Sequence, residues 1–336
     1  MTKRLAAVYA LVLAAMLPAF TANPELISGN LKLVVYADSG RFTLYKLSPV
    51  GKNRFEPLFD DRNGSSTSWF SVLSNGRIFN LMPRAGRKPE VISEDASIRV
   101  VFTPSDDFQV VQRYSFGGFA ADNTQSLTII TTVENTSGKP GDFAVKALID
   151  TNLGENAGIH YRTNLKDRIS SETRLIPSES MDSWIVSSGK DASLMFPFAS
   201  WSPVPEKIFV ANWERLKTLS WAPSISEGRS FNTIYSVNDS ALLFLWPTQT
   251  LGANKTLTVK MSIGDQDRLS LERLPPAASA AETIPNLDRS GSRNEVIERI
   301  LARIAEIERN PGSASDTELI ELNELLDTYL SETGAP

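Results

Sequence analysis

Cysteine is absent from the 336 residues, and histidine occurs once, at position 160. Without cysteine the chain has no disulfides and no thiolate chemistry, so its stability must come from buried apolar surface. A single histidine excludes a zinc site of the usual histidine-rich type, in which several imidazoles or thiolates converge. The net charge of -5 argues against nucleic-acid binding, which needs a basic face.

Catalytic and nucleotide-binding signatures are also missing. The sequence has no G-x-S-x-G nucleophile elbow, no P-loop and no dinucleotide-binding fingerprint. The composition therefore predicts no cofactor and favours a protein that is not an enzyme.

One apolar run stands at the start of the chain. Lys3-Arg4 precedes an apolar run from Leu5 to Leu17, and small residues follow around Thr21. The run is shorter than the about 20 apolar residues that cross a bilayer. We predict that residues 1–22 are a cleaved signal peptide and that the product is soluble and periplasmic, touching the membrane through this segment before cleavage. An uncleaved anchor is the alternative.

Short β-strands separated by turns dominate the chain from Leu31 onward. Four predicted hairpins cover residues 31–48, with a turn that ends at Gly40, 68–81, with an Asn75-Gly76 turn, 98–116 and 126–153. The strand region is much longer than the about 100 residues of an immunoglobulin-type sandwich, and no linker divides it. We predict a mainly β fold: one large antiparallel β-sandwich of supersandwich type over residues 23–272, with two smaller sandwiches as the alternative.

The composition changes after residue 272. Residues 273–292 are rich in proline, alanine and serine and are predicted to be a linker. Two capping boxes, Ser292 with Glu295 and Ser315 with Glu318, each precede an apolar stripe within residues 293–336. The pattern predicts a C-terminal α-helical hairpin.

A helical hairpin of this size cannot bury two apolar stripes by itself. The stripe of the second helix includes Leu322, Leu326 and Tyr329. It must pack on the sandwich of the same chain or on another protein. Because the linker has few apolar residues, we predict that these three side chains bind a partner protein.

The segment LIDTNLGENAGIHYRT contains the one histidine and the candidate polar site: Asp150, Asn152, Glu155, His160 and Arg162. The pattern predicts a strand over 143–153, a glycine-bounded turn and a returning strand over 159–163. Side chains alternate along a strand, so His160 and Arg162 would share one face.

Three interpretations of this polar segment are open. Oxygens of Asp150, Asn152 and Glu155 are ligands that calcium accepts, although their spacing is not that of an EF-hand. His160 with Asp150 or Glu155 would be an acid–base dyad. We favour the third interpretation, a polar hairpin with a half-buried structural histidine and no metal.

Four tryptophans in the second half of the chain, Trp201, Trp213, Trp221 and Trp246, bear on function. Exposed tryptophans on a sandwich stack on sugar rings, whereas tryptophans near proline close strand ends against a core. We predict core packing.

Three segments carry a resemblance to known proteins: SGNLKLVVYADSGRFTLYKLS, LIDTNLGENAGIHYRT and FVANWERLKTLSWAPSISEGRSFNTIYSVNDSALLFLWP. They resemble exported spirochaete proteins, some of them associated with the collar of the periplasmic flagellar motor. The sandwich also resembles the supersandwich of galactose mutarotases. That enzyme family would use histidine and glutamate residues from several strands, whereas this chain has one histidine.

The function expected from the resemblance is structural. The resemblance implies a non-catalytic periplasmic scaffold of the flagellar apparatus, which docks protein partners through its C-terminal helices. The alternative is a protein that binds or modifies carbohydrate on the sandwich. An exposed polar and aromatic site on a sheet would favour the alternative.

Overall fold

A computed structural model describes residues 23–48, 54–60, 66–83, 87–119, 124–155, 160–189, 192–233, 239–265, 298–299 and 301–303. The chain divides into two units, residues 1–274 and 275–336. In the second unit, residues 298–299 and 301–303 are helical, where the first helix of the hairpin is predicted. The predicted signal peptide and the residues Leu322, Leu326 and Tyr329 lie outside the described ranges. Within those ranges, no helix is both long and apolar enough to cross a membrane.

The described residues of the first unit form three antiparallel sheets. The small sheet has the order β1-β2-β3-β4, with β1 Glu25–Ser28, β2 Leu31–Val35, β3 Phe42–Leu47 and β4 Phe55–Pro57. The eight-stranded sheet has the order β12-β14-β15-β19-β10-β9-β8-β7, with β7 Glu90–Glu94, β8 Ser97–Ser105, β9 Phe108–Phe119, β10 Thr124–Asn135, β12 Tyr161–Thr163, β14 Ile185–Ser188, β15 Ser193–Phe196 and β19 Thr256–Asp265. The seven-stranded sheet has the order β13-β16-β17-β11-β5-β6, and β18 pairs with β11. Its strands are β5 Trp69–Ser74, β6 Arg77–Asn80, β11 Gly141–Asp150, β13 Thr173–Leu175, β16 Lys207–Asn212, β17 Ser240–Leu245 and β18 Gln249–Leu251.

Strand β19 shows why these segments become strands. Its apolar residues occupy every second position, Leu257, Val259, Met261 and Ile263, and all four are buried. Successive side chains of a strand point to opposite faces, so this spacing puts one apolar face on the core.

One hydrophobic core joins the three sheets. The ring of Phe42 in β3 lies 6.2 Å from that of Phe70 in β5 and 5.2 Å from that of Tyr114 in β9. Phe108 of β9 also contacts Phe143 of β11 at 5.7 Å. The prediction of a single large antiparallel sandwich is confirmed, because two smaller sandwiches would have separate cores.

The other face of the seven-stranded sheet carries a second apolar cluster, which includes Leu148, Phe209 and Leu243. The short helix α1, Trp213–Leu216, contributes Leu216 to it. Because both faces of β11 and β17 are covered, these strands are buried along nearly their whole length rather than at every second residue.

Two predicted turns are confirmed, and both depend on positive φ angles. Asn75 and Gly76, with φ of 48° and 79°, connect β5 to β6 as the sequence predicts. Gly40 has φ of 68°, and a Cβ atom there would lie 2.6 Å from the ring of Phe102. A side chain at position 40 is therefore excluded both by conformation and by space.

Two predicted pairings are wrong. Strands β10 and β11, predicted as one hairpin, lie in different sheets, because β10 pairs with β9 and β19 while β11 pairs with β5 and β17. The polar segment is not a hairpin either, since β12 pairs with β14. In both places the chain crosses from one sheet to the other.

Candidate functional site

The five predicted site residues separate into two groups in the structure. Asp150 and Glu155 lie together at one end of the seven-stranded sheet, and His160 and Arg162 line a cavity beside β12. The side-chain amide nitrogen of Asn152 donates to the carbonyl of Pro57 at 3.1 Å. Asn152 as a calcium ligand through its amide oxygen stays a prediction.

The acidic group gains a third member, Asp239. Asp150 is the last residue of β11, and Asp239 directly precedes β17, with which β11 is paired. Glu155 follows Gly154, whose φ of 81° turns the chain back toward the sheet end. One carboxylate oxygen from each of the three acids lies within 4.8 Å of the others. Asp239 is not among the predicted site residues, because the β11–β17 pairing that brings it to Asp150 is not visible in the sequence.

Asp150 is the most unusual member of this acidic cluster. Its side chain is 1% exposed, and neither carboxylate oxygen has a hydrogen-bond partner. Burial raises the pKa of Asp150 well above its usual range, and the negative charges of Asp239, Asp60 and Glu155 raise it further. The nearby Thr67 hydroxyl lowers this pKa in part, but its proton is donated to the carbonyl of Asp60 at 2.9 Å.

His160 is buried, with 3% exposure, and its hydrogen bond is to a hydroxyl rather than a carboxylate. Its Nδ1 lies 2.6 Å from the Oγ of Ser240, and its ring meets the edge of Phe231 at 4.6 Å. Burial, and then the positive charge of Arg168, lowers the pKa of His160 to about 4. The imidazole is thus neutral at pH 7, and its hydrogen bond to Ser240 is not the carboxylate contact of the acid–base alternative.

A buried hydroxyl network continues from His160. The Tyr161 hydroxyl donates to the carbonyl of Ser240 at 3.0 Å and lies 3.2 Å from the hydroxyl of Thr151. Thr151 in turn lies 2.9 Å from the hydroxyl of Ser187 in β14. Burial raises the pKa of Tyr161, so its phenol stays protonated. Its hydrogen bond to Ser240 connects β12 of the eight-stranded sheet to β17 of the seven-stranded sheet.

A cavity of about 380 Å³ opens beside this network. It is lined by His160, Tyr161, Arg162, Asp167, Val186, Ser188 and Gly189. We call it the His160–Arg162 cavity. The Nε of Arg162 is buried there without a hydrogen-bond partner. Asp167 and Ser188 were not predicted from the sequence, because Ser188 reaches the cavity through the pairing of β12 with β14.

The four tryptophans pack against protein groups. Trp201 and Trp246 are buried, with ring centroids 6.0 Å apart, which agrees with the predicted core packing. Trp213 and Trp221 are half-buried over the second apolar cluster. The ammonium of Lys217 lies 4.3 Å from the Trp213 ring, and that of Lys146 lies 5.2 Å from the Trp221 ring.

Comparisons with known proteins extend to solved structures alone, because the chain matches no protein-family model and no curated protein. A galactose mutarotase-like protein from Lactobacillus casei is 9% identical and has a TM-score of 0.42, and the match covers 73% of this chain and 100% of that one. A galactose mutarotase-related enzyme from Lactobacillus acidophilus is 10% identical, with a TM-score of 0.43 and coverage of 73% and 97%. A polysaccharide lyase is 12% identical, with a TM-score of 0.38, and the match covers 82% of this chain and 35% of that one. None of these three matches bears on the resemblance to exported spirochaete proteins, which stays a prediction.

Proposed function

We propose that this protein binds carbohydrate, with one sugar unit seated in the His160–Arg162 cavity. The observation that carries the proposal is the lining of that cavity: a guanidinium, a carboxylate, an imidazole and a serine hydroxyl around one space of about 380 Å³. Pockets for small ligands begin at about 300 Å³ and combine a few convergent polar groups with apolar walls.

The polar groups of the cavity match a ligand rich in hydroxyls. Arg162 presents donors in a planar fork, and its buried Nε has no partner within the protein. Asp167 is exposed at the rim and supplies acceptor oxygens, and Ser188 can donate or accept. Val186 and Tyr161 border the cavity as buried residues of β14 and β12.

Binding fits the cavity better than catalysis does. A general base works best when its pKa lies near the working pH, and the pKa of His160 is lowered to about 4. The Nδ1 of His160 is also engaged with Ser240. We therefore assign His160 the role of an uncharged residue that lines the cavity and takes no part in proton transfer.

The scaffold function, predicted from the C-terminal hairpin, is the other candidate. Its residues Leu322, Leu326 and Tyr329 lie outside the described ranges, and no contact within those ranges favours it over carbohydrate binding. It stays a prediction.

Calorimetric titration of the full chain with glucose, galactose and glucuronate tests the carbohydrate proposal. Wild-type protein should bind at least one of these sugars, and Arg162→Gln should weaken that binding by about tenfold or more, because a charged hydrogen bond contributes about 1.5–3 kcal/mol. Arg174→Gln is the matched control, since Arg174 is also a strand arginine, and its side chain is 51% exposed beside Glu227.

The glucuronate titration separates charge recognition from hydroxyl recognition. A preference for glucuronate that Arg162→Gln removes would identify the guanidinium as a carboxylate partner. If the wild type binds none of the three sugars, or if both arginine variants weaken binding equally, the cavity is not the sugar site and the proposal is wrong.

A further inference from the structure

We infer that Asp150, Glu155 and Asp239 bind a calcium ion at the end of the seven-stranded sheet. One oxygen from each lies within 4.8 Å of the others. Two ligands of one calcium ion, each about 2.4 Å from it, are at most about 4.8 Å apart. The three oxygens are therefore close enough to share an ion. This site is separate from the His160–Arg162 cavity and does not depend on the carbohydrate proposal.

The strongest reason to expect a ligand is the carboxylate of Asp150. It is 1% exposed, and neither of its oxygens has a hydrogen-bond partner. A buried polar group without a partner is costly, and a buried carboxylate more so. A cation bound by both oxygens would satisfy them.

The backbone leaves Asp150 little freedom to move away from this position. Its amide donates to the Ser68 hydroxyl at 2.9 Å, and its carbonyl accepts from the amide of Asp60 at 2.9 Å. Both bonds form at the end of β11, where the strand leaves the sheet. The carboxylate is thus directed toward Glu155 and Asp239 by the fold rather than by a partner of its own.

Two other buried acids of this protein, Glu172 and Asp265, have cations of the protein beside them. Glu172, whose side chain is 0% exposed, pairs with Arg215 and Arg229. Asp265, at 5%, lies 3.1 Å from the ammonium of Lys46. At Asp150 the strongest neighbouring charges come from Asp239, Asp60 and Glu155, which are all acidic. The contrast points to a counter-ion from solution.

The chemistry of the ligands selects calcium among common ions. All three ligands are carboxylates, which hard cations prefer, while zinc favours nitrogen and sulfur. Calcium also accepts six to eight oxygens in flexible arrangements, so carbonyls and water can complete its shell. Magnesium requires near-ideal octahedral geometry and keeps several waters, which a buried cluster does not easily accommodate.

Thermal unfolding of the full chain in calcium chloride and in EDTA tests the inference. Calcium at about 100 times its Kd should raise the Tm by on the order of 5–10 °C, because it binds the folded state alone. Asp150→Asn and Asp239→Asn should remove this rise, and Glu155→Gln serves if either aspartate variant does not fold, because Glu155 is only half-buried. Asp106→Asn is the control, since its side chain is 92% exposed, and it should respond as the wild type does.

A direct measurement uses terbium as the probe. The Trp213 indole Nε1 donates to the carbonyl of Thr67 at 3.1 Å, and the Thr67 side chain lies beside Asp150. An indole is therefore near the site and can sensitise terbium emission. Calcium should displace terbium from the wild type and from Asp106→Asn, whereas Asp150→Asn should give no emission. An unchanged Tm in calcium, an equal rise in magnesium, or an Asp150→Asn variant that responds to calcium as the wild type does would each overturn the inference.

Discussion

Acidification should remove the stability that one neutral buried residue, His160, contributes. The pKa of its imidazole is about 6.5 in an unfolded chain and about 4 in the folded protein, where burial and Arg168 lower it. Between these values the unfolded state binds more protons, so stability is fully present above pH 6.5 and is lost as the pH falls toward 4.

The magnitude follows from the difference between the two pKa values. The full difference corresponds to about 3 kcal/mol, of which roughly 2 would be lost between pH 7 and pH 5. The His160–Arg162 cavity borders the ring, and water in it screens the charge, so we halve the expectation to about 1 kcal/mol. His160→Gln should lose less stability over the same interval, by about that amount, because an amide does not titrate.

Urea unfolding of both proteins at pH 7 and pH 5 measures this difference. The chain has one histidine, so its single imidazole resonance in a proton–carbon NMR spectrum reports the same ionisation directly. That resonance should keep its position down to about pH 5. A titration midpoint near 6.5, or equal losses of stability in the wild type and His160→Gln, would refute the reasoning.

Three further predictions concern other parts of the chain. Burial lowers the pKa of Lys146 to about 8, and its ammonium donates to the Ser220 carbonyl at 3.0 Å. Because the unfolded chain then binds more protons above that pH, the unfolding free energy should rise by about 1 kcal/mol from pH 7 to pH 9 in the wild type and by less in Lys146→Met. We propose that the chain is exported and that its mature form starts near Asn23, so intact-mass measurement from the native host should lack residues 1–22; a mass that still includes them would rule out cleavage. We also propose that the C-terminal hairpin binds a partner protein: Leu322→Glu with Leu326→Glu should reduce recovery of crosslinked partners and leave the Tm of the sandwich unchanged, whereas a Tm lower by several degrees would mean that the hairpin packs on its own chain.

Local pattern was sufficient to predict many of the strands and two of their turns. The alternating apolar residues of β19 and the Asn75-Gly76 turn act over a few residues, so their effect is visible in the sequence. The absence of a linker within the strand region also predicted one sandwich, and the shared packing of Phe42, Phe70 and Tyr114 confirms it.

The pairing of strands was not predictable in the same way. Strands β10 and β11 are separated by a short polar connection that is typical of a hairpin, yet they join different sheets. Strand β11 is buried on both faces, on one by the main core and on the other by the second apolar cluster. This choice depends on apolar surface contributed by distant strands.

The candidate sites show the same division. The sequence alone identified Asp150, Glu155, His160 and Arg162 as the polar residues of one segment, because residue type and spacing are local properties. Tertiary structure separates them into an acidic cluster and a cavity, because the chain crosses between sheets after β11. The pairing of β11 with β17 adds Asp239 to the acidic cluster. Burial and charge depend on what the rest of the chain brings within a few ångströms. Hence the unpartnered carboxylate of Asp150 and the neutral imidazole of His160 are consequences of packing that the order of the residues does not reveal.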